Sequence, residues 1–442
     1  MSDERLDWFT WAEREMSPAA AEGKAEALDD VTVLDLSYGN VGGLFCSSLL
    51  AECGATVIRV EPPGGDVSRR YTPEGLIVHD SGLGYIVEGR NKHHVTLDIL
   101  RSEGKVVLRE MVSRADVLIE TYPSGFMDRE DIGYRQLSRL NPRLIYLTIY
   151  PYGQFGPESA GDKPSSDIID QAASGLVYLQ GQPASDGEKR DHEVPTRIGS
   201  WFGWYSSGLY GAFSIMGGLL FRHASGEGQM IDLSGAEGVM QFLDYNLTWF
   251  HTAKRVRERL GNYDIAVFPY TFVRCKDGFT FIAAYNDDAF QSLADIMGRP
   301  DLTKDPKFAT FLDRTQFENE KVLVEVIEEW SVNHTADEIL GMIQDYIGKK
   351  SGPGAAVVTG RVNTPADTLR ESHWWVRGVF QKLHDPVYGE VLVQGPSFKM
   401  SETPPRIKWL CREVGADNRM VYSSLLGAGV QQIDEMKRKG II

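Results

Sequence analysis

Paired cysteines are absent from this sequence. It contains four cysteines in 442 residues, and no two of them form a CxxC pair or adjoin a cluster of histidines. Such spacings are the usual signs of a structural zinc site or a disulfide framework, so we expect neither. We interpret the four cysteines as reduced thiols in or near the core: Cys46, Cys53, Cys275 and Cys411.

Long apolar runs and an excess of positive charge are also missing. No uninterrupted apolar run reaches the roughly 18 residues of a membrane-spanning helix, and the N-terminal stretch MSDERLDWFTWAEREMS carries charges where a signal peptide has an apolar core. Lys and Arg number 46 against 62 Asp and Glu, a formal charge of −16. We therefore expect a cytoplasmic protein that binds neither nucleic acid nor membranes.

Several catalytic signatures are absent as well. The sequence has no GxSxG elbow and no Walker motif, which argues against serine-hydrolase and P-loop chemistry. Gly39, Gly42 and Gly43 do not have the GxGxxG spacing of nicotinamide-binding proteins. None of the nine histidines stands at a spacing that demands a metal, so we expect no metal.

What the sequence does contain is a regular alternation of strands and helices. Short β-branched apolar runs, typical of buried strands, alternate with helical patterns such as 44–53, 102–114 and 206–222. This alternation predicts a parallel, doubly wound α/β sheet with ligands at the carboxyl ends of its strands. The length favours a second domain, and the pattern beyond about residue 236 predicts an α+β one. The strands predicted for the sheet are 31–36, 55–61, 115–120, 143–149 and 229–233.

Three clusters of residues are candidate ligand sites. The turn Ser37–Gly43 puts small residues and backbone N–H groups at a helix start, where a phosphate or an adenine ring can approach. Close strand-to-helix packing is the alternative. The cationic stretch Gly89–His94 suits a polyphosphate, unless it is a solvated loop. Glu120–Gly125, followed by Arg129, offers an aromatic ring that can stack on a base, unless it is an ordinary loop.

A fourth cluster, Lys163–Leu176, contains two carboxylates. Asp167 and Asp170 are three residues apart, a spacing that places both on one face of a helix. The alternative is that Asp167 is a helix N-cap and that the rest of the segment belongs to the core.

Taken together, these clusters resemble the class III CoA-transferases, the family that includes formyl-CoA:oxalate and carnitine CoA-transferases and the related acyl-CoA racemases. The resemblance extends over roughly residues 31–430 and depends on the order and spacing of its pieces. The matching stretches are VTVLDLSYGNVGGLFCSSLLAECGATVIRVEPPGGDVSRR, GRNKHHVTLDI, ADVLIETYPSGFMDRED, LNPRLIYLTIYPYGQFGP, SSDIIDQAASGL, LLFRHASGEGQMIDLS and GEVLVQGPSFKMSETPP.

The resemblance implies a fold and a ligand. After an N-terminal extension (1–30), it implies a large Rossmann-like domain (31–224), a smaller α+β domain with connecting segments (225–399), and a C-terminal segment (400–442) that returns to the large domain. Two subunits are expected to interlock like chain links. Coenzyme A, delivered as an acyl-CoA, is the expected substrate. The positions that match the family's CoA-binding residues are Asn40, Val41, Gly42, Lys92, Thr121, Tyr122 and Arg129.

One position departs from the family pattern. The family mechanism uses an aspartate that attacks the donor thioester and forms a mixed anhydride. The aspartate stands nine residues after a proline equivalent to Pro195 and four before a glycine equivalent to Gly208, and here that position is Trp204. No Asp or Glu lies between Pro195 and Gly208, so this chain is expected to lack the usual nucleophile.

Three hypotheses follow from Trp204. The leading one is a hetero-oligomer similar to benzylsuccinate CoA-transferase, in which a paralogous subunit supplies the aspartate and the isolated chain is inactive. Its donor would be succinyl-CoA and its acceptor an organic acid such as an aryl-substituted succinate. The second is an autonomous transferase or isomerase that uses Asp167 or Asp170. The third is a non-enzymatic CoA-binding scaffold. The Trp-rich run at 201–204, with Phe202 and Tyr205, would either fill an inactive pocket or form an aromatic wall beside an aryl substrate.

Overall fold

The computed structural model describes residues 7–160, 163–182, 194–349 and 356–442. These residues divide into two compact units. Unit 1 lies within Met1–Val177, Arg197–Arg255 and Glu371–Ile442, and unit 2 lies within Tyr178–Thr196 and Val256–Arg370.

Unit 1 is built around parallel strands with helices between them. Its strands up to residue 255 are β1 (Thr32–Leu36), β2 (Thr56–Glu61), β3 (Ile77–Val78), β4 (Ser81–Gly82), β5 (Lys92–Thr96), β6 (Val117–Glu120), β7 (Ile145–Tyr150) and β8 (Gln229–Ser234). Its helices over the same part of the chain are α1 (Trp8–Met16), α2 (Val41–Glu52), α3 (Leu83–Glu88), α4 (Ser102–Val112), α5 (Phe126–Arg129), α6 (Tyr134–Leu140), α7 (Asp167–Ala173), α8 (Phe202–Ser225), α9 (Gly235–Met240) and α10 (Asn246–Ala253).

Six of these strands form one sheet in the order β5-β2-β1-β6-β7-β8, and all five pairings are parallel. Counted along the chain, this is the order 3-2-1-4-5-6 of doubly wound dinucleotide-binding folds. The predicted α/β class with a Rossmann-like sheet is therefore confirmed. The short strands β3 and β4 pair separately with each other.

The central strands are buried on both faces, which explains why the sequence shows them as continuous apolar runs. On β1, Val33 packs into one hydrophobic layer and Leu34 into the layer on the opposite face. β7 behaves in the same way, since Tyr146 and Leu147 belong to different layers. The sheet therefore lies between two cores.

Unit 2 is a smaller α+β body. Its strands are β9 (Tyr270–Cys275), β10 (Gly278–Ala283) and β11 (Val358–Arg361), which form an antiparallel sheet in the order β11-β10-β9. Its helices are α11 (Asp287–Ile296), α12 (Phe311–Arg314), α13 (Phe317–Ser331), α14 (Ala336–Lys349) and α15 (Pro365–Arg370). A separate core that includes Phe290, Leu323 and Ile339 holds this unit together.

The rest of the chain belongs to unit 1. Its elements are α16 (Ser372–Val376), β12 (Phe380–Asp385), β13 (Gly389–Gln394), α17 (Asn418–Leu426) and α18 (Val430–Arg438). Unit 1 also includes residues 225–255 and 371–399. Both ranges fall in 225–399, the stretch predicted to form the small domain with its connecting segments. The physical reason for the first of these is that β8 pairs with β7 along its whole length. The interlocked dimer stays a prediction.

Two helices begin earlier than the sequence pattern predicts. Helix α2 starts at Val41 because the side chain of Asn40 caps it. Helix α8 starts at Phe202, four residues before the predicted start at residue 206, so Trp204 lies in its first turn. The aromatic residues before 206 are poor helix formers, and burial of Gly203 and Trp204 outweighs that weak preference.

Candidate active site

A cavity of about 740 Å³ lies at the carboxyl ends of the central strands. Strands β1 and β6 are neighbours in the sheet, but the chain leaves them toward opposite sides of the strand order, and such a switch point is where doubly wound sheets bind ligands. The cavity opens beside this point. It is lined by Leu36, Tyr38, Val60, Glu61, Pro62, Leu97, Asp98, Ile99, Leu100, Tyr122, Pro123, Phe126, Arg129 and Glu130.

The turn between β1 and α2 contributes Tyr38 to the cavity. The residues of this turn that were predicted to bind CoA do not line the cavity: Asn40, Val41 and Gly42. The Oδ1 of Asn40 accepts hydrogen bonds from the N–H groups of Gly42 (2.7 Å) and Gly43 (3.2 Å). Val41 and Gly42 are buried at the start of α2, the helix that packs against α8. A Cβ on Gly42 would stand 2.8 Å from both the Trp204 carbonyl oxygen and the Ser207 Oγ. The close strand-to-helix packing considered for this turn is therefore present.

Lys92 lies in the interior and does not line the cavity. Its Nζ donates to the Leu44 carbonyl oxygen (2.7 Å) and lies 3.4 Å from Asp35 Oδ2. Its side chain is fully buried, and burial lowers the pKa of Lys92 to about 8 against the opposing pull of Asp35. Its ammonium group compensates a buried carboxylate, a role that its sequence position does not reveal.

Arg90, the other strong cation of the stretch Gly89–His94, is also engaged by carboxylates. Its guanidinium group donates to Glu52 Oε1 (2.6 Å) and Glu88 Oε2 (2.7 Å), and all three side chains are buried. In the described structure, Arg90 and Lys92 of this stretch therefore neither belong to a solvated loop nor offer free positive charge to a polyphosphate. The cations are held by the acidic residues packed around them.

The turn after β6 carries the aromatic wall of the cavity. Tyr122 stacks on Tyr38, with ring centroids 6.0 Å apart and an interplanar angle of 4°, and on Phe126 at 4.9 Å and 13°. Thr121 joins the two turns, because its Oγ1 accepts from the Tyr38 N–H at 2.9 Å and lies 3.2 Å from the Tyr38 carbonyl oxygen. Exposed Arg129 completes the wall from α5.

These side chains have the chemistry that an adenine nucleotide requires. Flat aromatic rings can stack on a base, and a guanidinium group suits phosphate oxygens. Tyr122 and Arg129 line the same cavity, together with Tyr38 from the candidate turn Ser37–Gly43. Phe126 and the Leu97–Leu100 segment also line it and were not predicted. The aromatic character of Tyr38 next to a predicted strand end was the available signal.

A pair of carboxylates lies at the start of α7. Asp167 Oδ1 accepts from the Trp204 N–H at 3.1 Å, and Asp167 Oδ2 accepts from Gln171 Nε2 at 2.7 Å. Burial raises the pKa of Asp167, and the hydrogen bond from the Trp204 N–H acts in the opposite direction. Burial, with a smaller contribution from the charge of Asp167, raises the pKa of Asp170 to about 8.

Asp170 lies against glycine backbone. A Cβ on Gly235 would stand 2.5 Å from both of its carboxylate oxygens, and a Cβ on Gly203 would stand 2.8 Å from the Asp170 Cβ. Its Oδ1 is buried and has no hydrogen-bond partner among the described residues. With a pKa of about 8, this carboxyl group is mostly protonated at neutral pH.

Trp204 packs among other aromatic side chains. Its indole stacks on the ring of Tyr71 at 5.9 Å and 15°, and it lies 6.0 Å from the ring of Trp201. Only 5% of its surface is exposed. Its Nε1 has no hydrogen-bond partner within the described part of the chain. The position predicted for a nucleophile therefore holds a packed indole, and its backbone N–H binds Asp167.

No helix in the described part of the chain is both long enough and apolar enough to cross a membrane. No group of three or more His, Cys, Asp or Glu side chains there is arranged to hold a metal ion.

The fold and the cavity together define a doubly wound α/β protein with a candidate ligand site at its switch point. Comparison with known proteins gives the family. The chain belongs to CoA-transferase family III, whose model matches residues 28–418.

The chain is similar to characterised family members over nearly its full length. It is 32% identical to the succinyl-CoA–D-citramalate CoA-transferase of Chloroflexus aurantiacus, covering 94% of this chain and 98% of that protein. It is 30% identical to the alpha subunit of the succinyl-CoA–L-malate CoA-transferase of Chloroflexus aurantiacus, covering 94% of this chain and 92% of that subunit. For the beta subunit the identity is 31%, covering 90% and 94%.

A solved structure supports the same assignment. The CaiB/BaiF family protein of Brucella suis superposes with a TM-score of 0.76 at 26% identity, and the match covers 91% of this chain and all of that one.

Proposed function

We propose that this chain is a subunit of a class III CoA-transferase that moves CoA from succinyl-CoA to an organic acid. The observation that carries the proposal is the cavity at the switch point, where Tyr38, Tyr122 and Arg129 offer ring faces and a guanidinium group in a chain of this family. The adenosine and phosphate portion of CoA would occupy it.

The acceptor we propose is a dicarboxylic acid. The relatives named above use D-citramalate and L-malate, and the aryl-substituted succinate expected from the sequence shares their two carboxylates. The aromatic cluster of Tyr71, Trp201 and Trp204 favours a substrate with an apolar substituent if it borders the reacting groups.

The transfer requires a carboxylate. Its oxygen attacks the thioester carbonyl and the CoA thiolate leaves, which yields an enzyme anhydride. The thiolate then attacks the enzyme carbonyl, which releases the donor acid and leaves CoA as a thioester on the enzyme. The acceptor carboxylate attacks this thioester and displaces the thiolate, which gives a second anhydride. The thiolate finally attacks the acceptor carbonyl, which releases the new acyl-CoA and the free enzyme carboxylate. An indole cannot form such an anhydride. We therefore propose that Trp204 makes this chain the subunit without the nucleophile and that a paralogous partner supplies the aspartate.

Two observations support a partner. The malate enzyme of Chloroflexus has alpha and beta subunits, and this chain is similar to both. Helix α8 also exposes an apolar stripe, with residues spaced four, three and four apart so that they share one face. Stripes of this kind mark association surfaces. The stripe consists of Leu209, Phe213, Met216 and Leu220.

Asp167 is the alternative nucleophile. It lies in the same chain, and its Oδ1 is 3.1 Å from the backbone nitrogen of Trp204. A carboxylate at this place would let the chain act alone. Asp170 suits the role less well, because its raised pKa keeps it largely protonated near neutral pH. A chain that binds CoA and takes no part in transfer is the third alternative.

An assay of the purified chain, alone and mixed with a paralogue encoded by a neighbouring gene, separates these alternatives. Label exchange between succinyl-CoA and free succinate reports the half-reaction. The proposal expects CoA binding without exchange for the chain alone, and exchange for the mixture. Exchange by the isolated chain that is lost in Asp167→Asn but kept in Asp170→Asn would overturn the partner role in favour of Asp167. CoA binding with no exchange in any mixture would favour the scaffold.

A further inference from the structure

The wall of the CoA cavity is carried by a short turn, and hydrogen bonds hold this turn at both ends. The Tyr122 N–H donates to Glu120 Oε2 at 2.7 Å. Three residues later the Gly125 N–H donates to Gln154 Oε1 at 3.0 Å. Between them, Ser124 Oγ donates to the Gly153 carbonyl oxygen at 2.7 Å. The turn is thus bound to the segment that follows β7.

Gln154 is itself fixed in place. Its Nε2 donates to Thr148 Oγ1 at 2.8 Å, and Thr148 is hydrogen-bonded to Glu120. Its backbone N–H donates to both carboxylate oxygens of Asp232, at 2.9 and 3.0 Å. The hydroxyl group of Thr148 therefore links Glu120 and Gln154, the two residues that anchor the ends of the turn.

The backbone conformation of the residue before Gln154 favours glycine. Gly153 has a φ of 69°, in the left-handed region. A Cβ at this position would also stand 3.2 Å from both carboxylate oxygens of Asp232. The backbone is shaped so that the Asp232 carboxylate reaches the Gln154 N–H.

Gln154 does not line the CoA cavity. It borders a separate cavity of about 190 Å³ together with Glu120 and Tyr146. Gln154 can therefore affect a ligand in the CoA cavity by fixing the Tyr122–Gly125 turn, which precedes Phe126 and Arg129 of α5.

We propose that Gln154 is a positioning residue for acyl-CoA. Its side-chain amide holds the Tyr122–Gly125 turn, and with it the start of α5, in the geometry that receives the nucleotide portion. The ligand class is an adenosine 3′,5′-bisphosphate group, which the aromatic wall and Arg129 would contact. This inference rests on the proposed CoA-binding function.

The test compares Gln154→Ala with Asn141→Ala. Asn141 Nδ2 donates to the carbonyl oxygens of Val112 and Ala115, and Asn141 Oδ1 accepts from the Arg143 N–H, so its replacement removes three side-chain hydrogen bonds from unit 1. Asn141 is not among the residues that line the CoA cavity. Affinities for CoA, adenosine 3′,5′-bisphosphate and pantetheine are measured by titration calorimetry, and stability by urea unfolding.

Gln154→Ala is expected to weaken CoA and adenosine 3′,5′-bisphosphate by about 10-fold, the effect of one or two lost hydrogen bonds, and to leave pantetheine affinity unchanged. Asn141→Ala is expected to lower stability and keep both nucleotide affinities. If Gln154→Ala does not fold, Ser124→Ala removes the middle anchor of the same turn and is expected to weaken the same two ligands.

The outcomes separate this inference from the function on which it rests. A wild-type chain that does not bind CoA removes the proposed function. Wild-type binding with equal affinity in Gln154→Ala overturns the positioning role and leaves the function standing. Equal losses in Gln154→Ala and Asn141→Ala, or an equal loss for pantetheine, would reduce Gln154 to a general contributor to stability.

Discussion

Replacement of Asp170 by asparagine is predicted to stabilise unit 1 in a pH-dependent way. Asp170 is 2% exposed, and its Oδ1 has no hydrogen-bond partner among the described residues. Burial raises its pKa from 3.8 to about 8. Below the lower value both folded and unfolded chains hold the proton, so the carboxyl group costs nothing there. As pH rises, the unfolded chain releases the proton while the folded chain keeps it, and stability falls.

The difference between the two pKa values sets the size of the effect. At 1.36 kcal/mol for each pKa unit, ionisable Asp170 lowers the free energy of unfolding by at most about 6 kcal/mol above pH 8. Relaxation and water penetration reduce such penalties, so we expect Asp170→Asn to gain about 2–4 kcal/mol at pH 8 and nearly nothing at pH 4. An asparagine amide has almost the same shape as the protonated carboxyl group and does not titrate.

Urea unfolding followed by circular dichroism at pH 4, 6 and 8 measures this difference. Asp301→Asn is the control, because Asp301 is exposed and paired with Arg299, and its removal is expected to change stability little at any of these values. A stability difference between Asp170→Asn and wild type that is the same at all three pH values would refute the assignment of a buried, protonated Asp170.

Two further predictions concern the residues matched to CoA binding. Tyr122→Ala removes the central ring of the aromatic wall, and since base stacking is worth about 1–3 kcal/mol, CoA affinity measured by calorimetry should fall about 5- to 150-fold. A change below twofold would contradict the placement of the adenine ring. Lys92→Met leaves Asp35 with one cation fewer, so urea unfolding should show a loss of about 1–3 kcal/mol, while CoA affinity stays within about twofold because Lys92 lies outside the cavity. A large loss of affinity with unchanged stability would contradict the buried role.

The fold was predictable because its signals are local. Strands such as β1 and β7 are buried on both faces, so their apolar runs stand out in the sequence. In the candidate site, the sequence could indicate cavity-lining residues only where local chemistry and position coincide, as in Tyr122 and Arg129 after β6. Lys92 shows the limit. A lysine in a polar stretch resembles a phosphate ligand until the fold places Asp35 beside it, and that contact joins residues 57 positions apart.

Long-range contacts also explain the other differences. Helix α8 begins before its predicted start because its first turn packs against Asp167, a contact between distant segments that periodicity cannot show. No sequence signal marked Gln154, since its proposed role depends on hydrogen bonds to Gly125, Thr148 and Asp232 on three other segments.

We propose that this chain binds acyl-CoA but does not carry the nucleophile. Intact-mass and peptide spectrometry after incubation with succinyl-CoA tests it most directly, because the transfer leaves a CoA thioester on the attacking carboxylate. We expect no adduct on the isolated chain and an adduct on the paralogous subunit in the mixture. A CoA adduct on the isolated chain, in the peptide that contains Asp167, would contradict it.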